Sequence, residues 1–219
     1  VNFAHIVSHN LRSHSANFSM LLDFLSSEPD GEERNRILGM LNNASDNLLE
    51  TLENLNEVIA INTNVRMEKK EVRLYRAVHA AQQHLSEFLK SHNAKVFNEI
   101  PPEAVMRAIP TYLDSILINF ITNGVKYRHP ERVPEVRLSY EKSGGQDVLV
   151  ISDNGLGIDL KKYGDKLFGM YKTFHNHPEA RGIGLYITKN QVEAMNGRIQ
   201  TSSTVGEGTI FKIFLDEQG

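Results

Sequence analysis

The stretch Asn119-Phe120-Ile121-Thr122-Asn123-Gly124-Val125-Lys126-Tyr127 is where a reading of the second half of the chain begins. Asn119, Asn123 and Lys126 are spaced four and three, so on a helix they form one polar stripe. Leu113, Ile116, Leu117, Phe120 and Ile121 form a neighbouring apolar stripe able to dock on a sheet. An amide oxygen can ligate a hard cation and a lysine can neutralise phosphate. Taken alone, the same pattern also describes an ordinary amphipathic helix.

Three glycine motifs follow. Asp153-Asn154-Gly155-Leu156-Gly157 comes directly after an apolar strand. There a carboxylate can accept a hydrogen bond from an exocyclic amine, and the glycines let the backbone pass close to a flat ring. Arg181-Gly182-Ile183-Gly184-Leu185 opens a helix, where unpaired N–H groups and the positive dipole end favour phosphate. Gly206-Glu207-Gly208-Thr209 divides two strands. Each motif by itself is weak, being equally a glycine turn, a helix start or a hairpin.

The segments between them alternate in period. A short strand is predicted near 72–74, a helix over 75–90, strands over 95–100 and 105–109, and a helix over 111–128 after Pro110. Period-two alternation over 135–141, the turn Ser143-Gly144-Gly145-Gln146 and an apolar run over 148–152 predict a β-hairpin. A helix over 183–195 and closing strands over 198–202 and 209–215 complete an α+β sandwich, with helices on one face of a mixed sheet.

The first sixty residues follow another rule. Val7, Leu11, His14, Phe18, Leu21 and Leu25 alternate spacings of four and three. After Glu28-Pro29-Asp30-Gly31 the alternation resumes at Leu38, Leu41, Ser45, Leu48, Leu52, Leu55 and Ile59. This 3.5-residue period predicts an antiparallel helical hairpin. A lone hairpin exposes most of its seam, so pairing with a second copy into a four-helix bundle is expected. Residues 62–70 are the expected hinge between a domain over 1–64 and another over 68–219.

Bulk composition narrows the function. Of 219 residues, 40% are hydrophobic and 23% charged, and the net charge is −3, so neither nucleic acid nor an anionic membrane is an expected partner. There is no cysteine, which excludes disulfides, thiolate metal sites and cysteine nucleophiles and fits a reducing compartment. No apolar run approaches the roughly 20 residues that span a bilayer. The chain starts at Val1 in what reads as helix, so it is expected to be cut from a longer protein, cytoplasmic in this part.

In their order and spacing, the four motifs of the second half resemble the N box and the three glycine boxes of the GHKL (Bergerat) ATP-binding fold. Phe168, in Lys166-Leu167-Phe168-Gly169-Met170-Tyr171, is similar to the F box. The resemblance covers 68–219 and implies an ATP·Mg²⁺ site under a mobile lid between about Gly157 and Arg181. By carry-over, Asp153 reads adenine beside Gly155 and Gly157, Asn123 binds Mg²⁺, and Asn119 and Lys126 attend the phosphates. Tyr127 lines the pocket, Gly182 and Gly184 wrap the phosphate tail, and Phe168, Arg181, Leu185 and Thr209 complete the cofactor-binding set.

Position 119 separates chemistries within that fold. Hydrolysing members carry a glutamate there as general base for water, whereas the amide of Asn119 takes no proton at neutral pH. The nucleophile is sought in the first half, where Ser8-His9-Asn10-Leu11-Arg12-Ser13 resembles the H box of sensor histidine kinases. At 100° per residue His9 falls about 200° from both Val7 and Leu11, away from the seam, and an exposed neutral imidazole can attack phosphorus. The resemblance implies autophosphorylation of His9, then phosphotransfer to an aspartate of a response regulator receiver domain by a homodimer. Asn10 stands where the commonest H box has an acid, and can orient the imidazole without acting as a base. His14 replaces the usual proline and is expected to pack in the seam of a straighter helix. Ser13 sits where the family often positions a water for phosphatase chemistry. The alternative reading is a degenerate kinase that binds nucleotide and serves as a dimeric scaffold.

Overall fold

The computed structural model describes residues 3–62, 67–169 and 182–215. The chain divides into two compact units, Val1–Thr63 and Asn64–Gly219.

The first unit is a pair of helices, α1 (Phe3–Ser27) and α2 (Gly31–Asn62). The turn is fastened at both ends. Asp30 accepts the Glu33 N–H at 3.0 Å, capping α2, and Glu32 and Glu33 suit its positive end. Arg34 donates from one guanidinium nitrogen to the carbonyls of Leu25 (2.8 Å) and Glu28 (3.0 Å), which serves the open C-terminus of α1. Leu21, Ile37 and Ala44 form the buried centre, with Phe18, Leu25 and Leu41 packed against them.

On α1 the half-buried or buried positions are those the period indicated, Leu11, His14, Phe18, Leu21 and Leu25. On α2 the expected Leu41, Leu48 and Leu55 are half-buried, but Ile37, Ala44, Thr51 and Val58 complete the covered track in place of Leu38, Ser45, Leu52 and Ile59. Leu38, Leu52 and Ile59, assigned to the same seam by spacing, are 46%, 38% and 44% exposed. The 3.5-residue reading had merged two adjacent faces of one helix. Helix α1 continues unbroken through His14, whose Nε2 lies 3.2 Å from Thr51 Oγ1. Thr51 donates its single hydroxyl proton to the Asn47 carbonyl at 2.8 Å. It therefore accepts from His14, which carries its proton on Nε2 in this bond.

The second unit holds a five-stranded sheet in the order β2-β4-β5-β7-β6 and a small ribbon of β1 and β3. The strands are β1 (Lys70–Arg73), β2 (Lys95–Asn98), β3 (Val105–Ala108), β4 (Glu135–Ser143), β5 (Gln146–Asp153), β6 (Arg198–Thr204) and β7 (Gly208–Leu215). Among the described strands only the β2–β4 pairing is parallel. Helices α3 (Leu74–His84), α4 (Ser86–Ser91), α5 (Pro110–Lys126), α6 (Leu160–Tyr163) and α7 (Gly184–Ala194) complete it. The single helix expected over 75–90 is two, because Leu85 leaves helical geometry at ψ 8°. The β4–β5 turn matches expectation: Ser143 pairs with Gln146 across Gly144 and Gly145, both at positive φ, as a tight two-residue hairpin loop demands.

Pro110 opens α5, where its missing N–H costs nothing. The apolar stripe of α5 (Leu113, Ile116, Leu117, Phe120 and Ile121) is buried along with Val136, Leu138, Leu149, Ile151 and Ile213 of the sheet. Phe120 meets Phe211 of β7 at 4.5 Å between ring centres. Burying each such side chain contributes about 1.5–3 kcal/mol, so α5 is fixed lengthwise over the sheet and its polar stripe cannot rotate away. Among the described residues no helix is long and apolar enough to cross a membrane.

Candidate functional site

Asp153 ends the central strand of the sheet, in register with Val136 on one side and Thr209 on the other. Glycines make room around it. A Cβ on Gly124 would come within 2.6 Å of Val136 and 3.2 Å of Asp153 Cβ, so α5 closes on the sheet at this point. One on Gly155 would stand 2.6 Å from the Tyr127 carbonyl. At Gly208 (φ 134°) it would collide with the Asp153 carbonyl, and at Gly157 (φ 65°) with that of Thr204. Gly155, Gly157 and Gly208 are each demanded by close backbone approach.

That carboxylate accepts the Gly155 N–H at Oδ1 (2.9 Å) and the Thr209 N–H. Burial pushes its pKa up to about 6, with the two backbone bonds pulling the other way. Two neutral donors do not compensate a buried charge, so a further N–H donor is favoured here. An exocyclic amine of a purine is such a donor, and on this ground the pocket fits adenine.

The polar stripe of α5 faces α7. Asn123 Nδ2 donates to Asn119 Oδ1 at 3.1 Å, and Asn119 Nδ2 donates to Thr188 Oγ1 at 2.7 Å. One turn away, Gln191 Nε2 donates to Ser115 Oγ at 3.0 Å. Gly184, first residue of α7, lies so close that a Cβ would collide with Asn119 Oδ1. Because Asn123 spends an amide hydrogen on Asn119, the chain of amides leaves the Asn123 carbonyl oxygen as its acceptor for the site. An oxygen donor of that kind suits Mg²⁺.

Tyr127 closes α5. Its N–H donates to Asn123 O and its carbonyl accepts the Leu156 N–H, both at 2.9 Å, and burial raises its hydroxyl pKa. Lys126 is half-buried in the last turn of α5, and Leu185 is half-buried in the first turn of α7. Gly182, at φ 67°, leads into that helix. Phe168 is half-buried next to the buried Leu167. Ser13 is exposed on α1. His9 and Asn10 lie on α1, with side chains outside the described residues, as is Arg181 together with 170–180 of the expected lid.

Four residues to which the sequence reading gave no role also build the site. Ser203 Oγ donates to Gly208 O (2.8 Å) and accepts from Ile158 N (2.8 Å) and Thr209 Oγ1 (2.9 Å), pinning the loop after Asp153 to the β6–β7 turn. Asn154 accepts from Glu135 N and donates to Val133 O, both at 2.9 Å. Arg132 donates to Asn154 O (3.4 Å) and Gly206 O (2.6 Å). Thr188, 1% exposed, is the fourth.

Residues 108–219 match the family model described as histidine kinase-, DNA gyrase B-, and HSP90-like ATPase, and the chain belongs to this ATP-binding family. Within it, the chain is a sensor histidine kinase homologue of the two-component type. It is 29% identical over 214 residues to the methanogenesis regulatory histidine kinase FilI of Methanothrix harundinacea, covering 94% of this chain and 23% of FilI. Among solved structures, the histidine kinase AdeS of Acinetobacter baumannii aligns with a TM-score of 0.78 at 20% identity, over 96% of this chain and 98% of that one. The histidine kinase ThkA, in complex with the response regulator protein TrrA, aligns at 0.76 and 16% identity, over 97% and 60%. The likeness to both structures is one of fold. The chain spans between 15% and 27% of the length of the first three curated relatives.

Proposed function

We propose that this chain is the catalytic core of a sensor histidine kinase: residues 68–219 bind ATP·Mg²⁺, and 1–64 dimerise and carry the phosphoacceptor His9. The observation that carries the reading is Asn119. An amide tied to Thr188 and Asn123 stands at the position where a hydrolysing enzyme of this fold needs a carboxylate. With no base at that position, water is not activated by it and the γ-phosphoryl group is kept for a protein nucleophile. An imidazole nitrogen of His9 attacks the γ-phosphorus, the P–O bond to the leaving ADP breaks, and the imidazole proton passes to solvent or a neighbouring base. Asp153 holds the adenine amine, Asn119 and Lys126 orient the phosphates, and Asn123 would hold the Mg²⁺ that neutralises their charge. The phosphoryl group then moves from His9 to an aspartate carboxylate on a response regulator, a partner class that the ThkA–TrrA complex supports.

The exposed track of α2 supports homodimerisation. Leu38, Leu52 and Ile59 fall at heptad spacing beside the covered face, and Met20 and Phe24 of α1 are 49% and 54% exposed. A second hairpin buries both flanks in a four-helix bundle. ATP as substrate and a chain without cysteine fit a cytoplasmic setting.

The test is incubation with γ-labelled ATP. An acid-labile, base-stable phosphoprotein is expected. Asn10 in place of an acid motivates the second reading, a nucleotide-binding scaffold, and that reading stands if ATP binds and no phosphoprotein forms.

A further inference from the structure

Resting on the reading of Asp153 as the residue that takes the purine amine, we infer that Arg132 is a positioning residue that sets the preference of the site for adenine. The geometry runs through one peptide unit. At one end of the Asn154–Gly155 peptide, the Gly155 N–H donates to Asp153 Oδ1 at 2.9 Å. At the other end, the Asn154 carbonyl accepts from the Arg132 guanidinium at 3.4 Å. A second guanidinium nitrogen donates to Gly206 O at 2.6 Å. A guanidinium donates only and stays charged, and a backbone carbonyl accepts only, so the sense of each bond is fixed. The shorter bond to Gly206 anchors the guanidinium where it meets Asn154 O.

The need for such a clamp follows from the residues it holds. The last torsion of an aspartate is broad and nearly two-fold, so the side chain does not by itself fix the plane of its carboxylate. The Gly155 and Thr209 N–H groups fix it. One of these donors belongs to a glycine, whose backbone has the widest freedom of any residue. The peptide that delivers it is steadied from outside. The Asn154 side chain does part of this, accepting from Glu135 N and donating to Val133 O, both at 2.9 Å. Arg132 holds the carbonyl end and ties it, through Gly206, to the β6–β7 turn that leads into Thr209. Gly206 is held at its own N–H as well, which donates to Leu156 O at 2.7 Å. Both backbone donors of Asp153 thus lie on segments that one exposed side chain joins. A carboxylate kept in that plane attracts a base with an amine at its edge and repels one with a carbonyl there, as in inosine.

The experiment measures the affinity of the full chain for ATP and for inosine triphosphate by calorimetry with Mg²⁺, for wild type, Arg132→Gln, Arg132→Lys and Asp153→Asn. The two nucleotides share sugar and phosphates and differ at the edge assigned to Asp153, so their ratio reports the base and not the general state of the fold. Wild type should prefer ATP by about tenfold or more, the order of one charge-assisted hydrogen bond. Arg132→Gln should cut that preference about fivefold while leaving the melting temperature nearly unchanged, since the residue is exposed. Lysine keeps the charge as a single point and cannot span two carbonyls, so Arg132→Lys should lose most of the preference too. If Arg132→Gln fails to fold, Arg132→Lys is read alone. An undiminished preference in the folded variant overturns the inference, even where both affinities fall together. Full recovery in Arg132→Lys also overturns it, because charge and not position would then be the cause. A preference absent from wild type, or intact in Asp153→Asn, overturns the reading of Asp153 instead.

Discussion

Asp153 carries two opposed demands, and they separate in solution. Its carboxyl has a pKa of about 6 in the fold against 3.8 ordinarily, with burial as the main cause. A shift of that size means that the ionised form costs the fold on the order of 3 kcal/mol. An acid whose folded pKa is raised binds its proton more tightly in the folded state. The cost is therefore present above pH 6, shrinks as pH falls through about 6, and is gone near pH 4. Asp153→Asn should raise the melting temperature at pH 7.5, and the gain should vanish near pH 4. The same variant should lose ten- to a hundredfold in ATP affinity by calorimetry, since a charge-assisted hydrogen bond contributes about 1.5–3 kcal/mol. Unchanged affinity would mean that adenine sits elsewhere. The glycines around Asp153 were legible in the sequence because positive φ and backbone contact leave little other choice. The partners of Ser203, Asn154 and Thr188 were not, since hydroxyl and amide residues in strands, loops and helices announce no partner until the chain is folded.

Helices α1 and α2 show how far a period can be read. On α1 the covered positions Leu11, His14, Phe18, Leu21 and Leu25 coincide with the alternating spacings of four and three, so spacing found them. On α2 large apolar residues stand on two neighbouring faces, and Ala44 and Thr51, which line the covered one, carry little hydrophobic signal. Size misled where contact decided. The His14–Thr51 bond across the hairpin is a local test. Thr51→Val should leave the His14 N–H without its acceptor and cost about 1–2 kcal/mol in urea unfolding of the full chain. The cost should largely disappear in a His14→Ala background, and equal costs in both backgrounds would show that the bond contributes nothing. In the second unit, the break at Leu85 escaped notice because no glycine or proline marks it. Helix α5, by contrast, was legible from its apolar stripe and from Pro110 at its start.

At the scale of the whole molecule, a signalling core needs one part that receives the phosphoryl group and another that supplies it. The proposal gives these parts to the two units, with His9 in the first and Asp153, Asn119 and Asn123 in the second. The apolar track of Leu38, Leu52 and Ile59 is the reason to expect self-association through residues 1–65. Light scattering should find the full chain dimeric and residues 68–219 monomeric, and a monomeric full chain at micromolar concentration would defeat the bundle. The most direct measurement is labelling of His9→Gln with γ-labelled ATP beside the wild-type chain, with ATP affinity measured on both. Acid-labile phosphoprotein should form on the wild type and be absent from the variant, while affinity stays within about twofold, because no nucleotide contact is assigned to His9. Undiminished acid-labile label on His9→Gln would contradict the assignment and turn attention to His14 and His5.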